Sequence, residues 1–251
     1  MPALASDTVL MYHFPRATTI PSPSPFALKL ETYLRMADIK YKSDLSGKLS
    51  KKGKIPWIVI NGEVVNDTSF IIQHLNKKFN IDLNKHLSSK EKAIAYSYTK
   101  TMEESTFWAT VTYGRFAENF SWFLSELGVP KILFPAARLT LRRRILKSMW
   151  GHGIGRHSPE NIRKLGEADL KAFSDFLGDK PFFMGDQPSL IDATMFGFIA
   201  ELIWFMPPDH WTTKVVKEDY KNLVSYCEKM RTKYWPDWND NLKNGNKPTK
   251  F

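Results

Sequence analysis

Ser24 is the residue whose position points most strongly to chemistry, because its hydroxyl stands at the predicted start of a helix. A serine followed by a proline, here Pro25, is a typical N-cap and first helical position, and Phe26, Leu30 and Leu34 continue at helical spacing. The unpaired N–H groups and the dipole of a helix N-terminus favour negative charge. A thiolate brought there, from the protein or from a ligand, would be stabilised. An ordinary structural cap is the alternative interpretation.

Two later segments carry polar groups at the boundaries of predicted elements. Lys54-Ile55-Pro56 precedes a predicted strand about 30 residues after Ser24, and Asp67-Thr68 begins a predicted helix. A hairpin joins them, with Asn61-Gly62 supplying the positive φ angles of a two-residue turn. Taken alone, Asp67-Thr68 is also explained as an ordinary helix cap. The order of the three segments indicates function more strongly than any one of them.

The predicted elements divide the chain into two parts. A strand over residues 8–14, a helix over 24–38, a strand over 39–44, the hairpin and the helix after it predict a small α/β domain at residues 1–82. From residue 90 the pattern is helical and rich in aromatic residues, with helices predicted over about 90–127, 136–150, 159–177, 189–205 and 218–234. Residues 90–251 are therefore predicted to form an all-helical domain.

The composition is that of a folded, basic protein. The 251 residues are 43% hydrophobic and 14% aromatic, and 36 basic against 26 acidic side chains give a net charge of +10. Such a charge attracts anionic ligands, acidic lipid headgroups or nucleic acid. The basic stretches are not interleaved with aromatic residues, so we expect no nucleic-acid binding. Arg142-Arg143-Arg144 is first interpreted as a solvated helix face, with peripheral contact to an anionic membrane or to a partner surface as the alternative.

Cysteine usage and hydropathy argue against several other classes. Cys227 is the single cysteine, which excludes an internal disulfide framework and a cysteine-based zinc site. No histidine or carboxylate cluster has metal-ligand spacing, so no metal is expected. The N-terminus lacks a signal pattern, and no window approaches the ~18–20 apolar residues of a membrane span. We expect a cytoplasmic protein without a transmembrane segment.

Together, the three N-terminal segments resemble the thioredoxin-like domain of the glutathione S-transferase superfamily. Ser24-Pro25-Phe26-Ala27 is similar to the start of the family's first helix. Ile55-Pro56 resembles its residue before a cis-proline, and Asp67-Thr68 its acidic or amide residue followed by serine. Ser189-Leu190-Ile191-Asp192 resembles its capping box, to which we assign no chemistry. The resemblance implies a thioredoxin-like N-terminal domain followed by a helical C-terminal domain of the transferase type.

The resemblance also implies a glutathione site. Ser24 would donate a hydrogen bond to the glutathione sulfur and help to lower the pKa of its thiol. A cis bond at Ile55-Pro56 would let the Ile55 backbone pair with the cysteinyl group, with Lys54 near the glycyl end. Thr68 would hold the γ-glutamyl carboxylate, and Asp67 its ammonium group. Serine in place of the cysteine of omega-like members disfavours mixed-disulfide chemistry.

An apolar second substrate is expected in the helical domain. Its predicted pocket is lined by Met102, Phe107, Trp108 and Tyr113. The implied reaction is conjugation, or a glutathione-dependent isomerisation or elimination, of the kind used in detoxification. Many members of the family pair through the first domain, which makes a homodimer one expectation.

A narrower resemblance is to the failed axon connections proteins, a branch related to the metaxins. It is carried by residues 23–36, 151–158 and 177–186. Enzymatic activity is less secure in that branch than in the transferases proper. A non-catalytic binding or scaffold protein that keeps the fold is therefore the alternative function.

Overall fold

The computed structural model describes residues 5–243. Its first part is a four-stranded sheet with two helices. The elements are β1 (Val9–Tyr12), α1 (Pro25–Met36), β2 (Tyr41–Asp44), β3 (Trp57–Ile60), β4 (Glu63–Asn66) and α2 (Thr68–Phe79). The strand order is β2-β1-β3-β4, with β1 parallel to β2 and antiparallel to β3. The predicted thioredoxin-like domain is therefore present.

The helical part begins with α3 (Ser89–Thr101), which continues into the π-helical segments Met102–Thr106 and Trp108–Glu118. The helices that follow are α4 (Phe120–Glu126), α5 (Phe134–Ala137), α6 (Arg143–His152), α7 (Pro159–Leu177), α8 (Leu190–Trp204), α9 (Trp211–Glu218) and α10 (Lys221–Tyr234). A helical C-terminal domain is thus confirmed. Among residues 5–243, no helix has both the length and the apolar character needed to cross a bilayer.

The helical part differs from the prediction in three details. The helix predicted over 136–150 is divided by a π-helical segment, Arg138–Arg142, which separates α5 from α6. The expected single helix over 90–127 contains the two π-helical segments and a break at Asn119. Hydrophobic spacing does not distinguish π from α geometry, so the sequence does not predict the π-helical segments. The last predicted helix is preceded by a separate α9, which ends at Glu218, and α10 begins at Lys221.

The two parts pack through α1 and α8. Gly197 of α8 makes this approach close, because a Cβ built on it would lie 2.7 Å from the Lys29 nitrogen and 2.9 Å from the Pro25 oxygen. The main core, mostly helical, includes Leu28 of α1, whereas the core beneath the sheet includes Ala193 of α8. The predicted domain limits at residues 82 and 90 fall between α2 and α3, and they stay a prediction.

The start of α8 has the predicted capping box. The Ser189 backbone N–H and hydroxyl both donate to one oxygen of the Asp192 carboxylate, at 2.8 and 3.1 Å, and the Asp192 N–H donates to the Ser189 carbonyl at 3.0 Å. The Phe183 backbone N–H donates to the other carboxylate oxygen at 2.9 Å. Burial raises the pKa of Asp192, and these hydrogen bonds oppose the rise.

Candidate functional site

The three segments singled out in the sequence meet at one edge of the sheet. Tyr12, the last residue of β1, pairs with Trp57, the first residue of β3, and Trp57 pairs with Asn66, the last residue of β4. The chain that leaves β1 toward α1, the chain that enters β3 and the chain that leaves β4 toward α2 therefore share this edge. The rings of Tyr12 and Trp57 stack with centroids 3.8 Å apart. Sequence analysis did not single out either ring.

Ser24 is the N-cap of α1, as predicted. Its backbone is extended (φ −115°, ψ 116°), and the Ala27 N–H donates to its Oγ at 3.4 Å. That distance exceeds the usual N–H···O range, so the capping bond is weak. The side chain is partly buried, and within residues 5–243 its hydroxyl proton has no acceptor. The hydroxyl is available to donate a hydrogen bond to a ligand.

A buried arginine holds the loop between β1 and α1. Arg16 donates to the Pro21 carbonyl at 3.1 Å and to both carboxylate oxygens of Glu31 at 2.7 and 2.9 Å. Burial raises the pKa of Glu31, but the charge and hydrogen bonds of Arg16 outweigh it and lower the pKa to about 2. Burial also lowers the pKa of His13, which opens this loop, to about 4. The ion pair between Arg16 of the loop and Glu31 of α1 thus fixes the loop to that helix.

A second arginine holds the same loop from the helical domain. Arg115, in the second π-helical segment, donates to the Pro23 carbonyl at 2.9 Å, one residue before Ser24, and to the Phe205 carbonyl at 3.1 Å. It also pairs with Glu201, whose pKa is raised to about 7 by burial against the opposing effect of Arg115. Sequence analysis missed Arg115; the available signal was a single arginine within an aromatic helical run.

The peptide bond between Ile55 and Pro56 is cis, as the resemblance implies. Neither the N–H nor the C=O of Ile55 has a hydrogen-bond partner among residues 5–243. Lys54 is exposed, and its carbonyl accepts from the Ser50 N–H at 3.1 Å. Ile55 therefore offers a backbone donor and a backbone acceptor just before β3. These are the groups with which an extended peptide pairs in strand fashion.

The turn into α2 holds Asp67 in an uncommon backbone conformation for a residue with a side chain (φ 71°, ψ 125°). Its carboxylate accepts from the Ser69 N–H at 3.0 Å, and Thr68 beside it is buried. Within the described chain the Thr68 N–H has no partner, and the buried Oδ1 of Asn66 has none either. Asn66 was not a predicted site residue. The turn thus contains an unpaired backbone donor at Thr68 and an unpaired, buried acceptor at Asn66.

Phe107 lies beside the first turn of α1. Its ring packs edge-to-face on Phe26 at 5.2 Å and on Phe198 at 5.8 Å. Met102 is 1% exposed and belongs to the main core. Phe107 therefore lies next to the helix that Ser24 caps, and Met102 is enclosed in the core.

Trp108 and Tyr113 pack against α6. The Trp108 ring stacks on His152 at 4.7 Å, and both side chains join the small cluster formed around Met149. The structure therefore brings Ser24, Ile55 and Asp67 to one region. The Trp108 ring contacts Phe107 edge-to-face at 5.7 Å, but it packs with Tyr113 in the cluster around Met149, whereas Met102 lies in the main core. The role of the four predicted pocket residues in binding a second substrate stays a prediction.

Residues 25–119 match the family of glutathione S-transferase N-terminal domains, and residues 166–230 match the family of glutathione S-transferase C-terminal domains. The isoprene-epoxide–glutathione S-transferase of Rhodococcus sp. (strain AD45) is 32% identical over 240 residues, which cover 90% of this chain and 99% of that protein. The chain belongs to the glutathione S-transferase superfamily. Beta-etherase LigF from Sphingobium sp. strain SYK-6 shares the fold of this transferase-like chain, with a TM-score of 0.65, 15% identity and coverage of 90% and 95% of the two chains.

The narrower resemblance is also confirmed. Failed axon connections of Drosophila melanogaster is 31% identical over 93% of this chain, which spans 60% of that protein's length. Metaxin-2 of Mus musculus is 25% identical, with 86% of this chain and 84% of that protein covered. This member of the superfamily therefore lies in the branch that contains failed axon connections and the metaxins.

Proposed function

We propose that this protein is a glutathione-dependent transferase in which the Ser24 hydroxyl hydrogen-bonds the glutathione thiolate. The observation that carries the proposal is the set of unpaired groups along one edge of the sheet. They are the Ser24 hydroxyl proton, both backbone groups of Ile55, the Thr68 N–H and the buried Asn66 oxygen. A small extended peptide with a thiol at its centre and a carboxylate and an ammonium group at one end fits such a set.

Each of these residues has a separate task in the proposed reaction. Ser24 and the N-terminus of α1 hold the sulfur as a thiolate, because both favour negative charge. The Ile55 backbone fixes the cysteinyl group, while Thr68 and Asp67 fix the γ-glutamyl end. Glutathione supplies the nucleophilic sulfur, which forms a bond to an electrophilic carbon. With a halide the carbon–halogen bond breaks and the halide leaves, whereas with an epoxide the carbon–oxygen bond breaks and the oxygen stays on the neighbouring carbon and takes up a proton from water.

The second substrate is proposed to be an apolar electrophile held near Phe107 and Phe26. These rings lie next to the first turn of α1, and with Phe198 they form an edge-to-face aromatic group. The name of the Rhodococcus relative supports an epoxide as the first substrate to test. A cytoplasmic location and a homodimer belong to the same proposal.

A non-catalytic scaffold is the second candidate. Two observations favour it: the packed positions of Met102, Trp108 and Tyr113, and the identities to failed axon connections and metaxin-2. A scaffold of this kind would keep the fold without turning over an electrophile.

Calorimetry and turnover assays separate the two candidates. Wild-type protein is titrated with glutathione and assayed with 1-chloro-2,4-dinitrobenzene and with a small apolar epoxide, beside Ser24→Ala. Binding with turnover that collapses in the variant supports the transferase. Absence of binding, or binding with no turnover of either electrophile, supports the scaffold.

A further inference from the structure

The segment between α4 and α7 has an extreme charge composition. Residues 127–159 contain seven lysines and arginines and no aspartate or glutamate, so they contribute +7 to a net charge of +10. Six of the seven cations lie within residues 131–150, called here the basic segment, which spans α5, the π-helical turn Arg138–Arg142 and most of α6. Nothing in the proposed glutathione site uses this segment.

The basic segment also exposes large apolar side chains. Ile132 is 84% exposed, Leu139 65% and Trp150 58%, and Leu133 and Leu141 are exposed as well. Isolated exposed apolar residues are common on soluble proteins, but five within 20 residues of helical chain expose an unusual amount of apolar area to water.

The cations of the basic segment are not neutralised by neighbouring carboxylates. Arg143, Arg144 and Lys147 are exposed, and within residues 5–243 none of the segment's cations forms an ion pair. Arg138 donates to the Ser121 hydroxyl, and Arg142 donates to two backbone carbonyls. The nearby Glu118 is engaged by His210 at 2.7 Å.

Basic residues on the solvated face of α7 are paired with acidic residues, in contrast to those of the basic segment. Three basic residues of α7 pair with acidic residues four positions away, namely Lys164 with Glu160, Arg163 with Glu167 and Lys171 with Asp175. Such pairs are typical of a helix face that meets only water. The basic segment lacks them, which indicates that its counter-charges come from another molecule.

A groove on the basic segment combines both features. It has a volume of about 450 Å³ and is lined by Phe134, Pro135 and Leu139 together with Lys131, Arg138 and Arg143. Apolar lining residues between cations suit a molecule whose anionic group is joined to a hydrocarbon chain.

We propose that the basic segment docks the protein on membrane surfaces rich in anionic lipid. Lys and Arg side chains attract acidic headgroups, while Ile132, Leu139 and Trp150 enter the boundary between headgroups and acyl chains. A second copy of this chain is disfavoured as the occupant, because two such faces repel each other. The exposed apolar groups are mainly aliphatic, so they do not form the stacking platform of a nucleic-acid site.

Vesicle sedimentation tests the proposal. The full-length protein is mixed with vesicles of phosphatidylcholine alone, or with vesicles that contain about one-quarter phosphatidylserine. We expect binding to the anionic vesicles only, weakening as salt is added. The triple variant Arg143→Gln, Arg144→Gln, Lys147→Gln should bind about 100-fold more weakly, since each cation near the surface contributes about fivefold.

Two further variants make the result decisive. The control triple variant removes the same charge from exposed positions on α9 and α10 by Lys214→Gln, Lys217→Gln, Lys221→Gln. Its affinity for the anionic vesicles should change less than about threefold if the position of the removed charges matters. Ile132→Ser with Leu139→Ser keeps the charge and should lower affinity at least about tenfold. The proposal is overturned if anionic vesicles do not bind, if the two triple variants behave alike or if the apolar variant is without effect. It is also overturned if the wild type forms a dimer that the Arg143 triple variant abolishes.

Discussion

Replacing Ser24 by alanine separates thiol activation from helix capping. A hydrogen bond from the hydroxyl to a thiolate is charge-assisted and contributes about 1.5–3 kcal/mol. At 1.36 kcal/mol per unit, its loss should raise the pKa of the bound glutathione thiol by about one to two units. At a pH below the wild-type thiol pKa, kcat/KM should fall about 10- to 100-fold. Because the capping bond is 3.4 Å long, the free energy of unfolding should fall by only about 0.5–1 kcal/mol.

Ser158→Ala is the matched control. Ser158 caps α7, is followed by Pro159 and accepts from the Asn161 N–H at 3.3 Å, so it repeats the local geometry of Ser24 away from the sheet edge. This variant should lose similar stability and keep full activity. The assay is the pH dependence of kcat/KM, together with the ultraviolet absorbance of the bound thiolate. A bound thiol whose pKa is the same in Ser24→Ala and wild type would refute the reasoning, as would an equal loss of activity in Ser158→Ala.

Three other substitutions test the surroundings of the site. Gly197→Ala should lower the free energy of unfolding in urea by about 1–3 kcal/mol through overpacking against α1, whereas Gly151→Ala, with no atom within 4 Å of its Cβ, should not. Asp67→Gly should raise stability by about 1 kcal/mol by relieving the backbone at φ 71°, yet weaken glutathione binding in calorimetry about tenfold. Because burial lowers the pKa of His13 from 6.5 to about 4, its contribution to stability is fully present above pH 6.5 and is lost as the pH falls toward 4. His13→Leu should remove up to about 3 kcal/mol of this pH dependence. The measurement is the free energy of unfolding of variant and wild type at each pH. Glu201, whose raised pKa gives the opposite slope, contributes equally to both proteins and cancels in their difference.

Local signals explain why much of the N-terminal domain could be predicted. The cap at Ser24, the turn at Asn61-Gly62 and the cap at Asp67 each depend on residues within about four positions, and all three lie where the sequence indicates. The cis bond before Pro56 is different, because nothing local requires it and only the resemblance implied it.

Long-range packing explains what could not be predicted. The contact between Arg115 and Pro23 spans 92 positions, and no spacing rule links such residues. The aromatic residues between 96 and 123 identify a helical core, but which rings face a cleft depends on where α6 lies. Trp108 stacks on His152 of that helix, so its surroundings are set by a segment that begins 35 positions later in the sequence.

The helical domain is part of the proposed thiol site and does more than cover it. Ser24 ends a loop whose Pro21 carbonyl is held by Arg16 and whose Pro23 carbonyl is held by Arg115. The first arginine is anchored within the thioredoxin-like domain, whereas the second is anchored by Glu201 of α8. The position of the serine hydroxyl therefore depends on the packing of α8 against α1. In the proposed reaction, a substrate that shifts the aromatic group around Phe107 would act on the same packing, so binding of an electrophile would be linked to the placement of the thiolate.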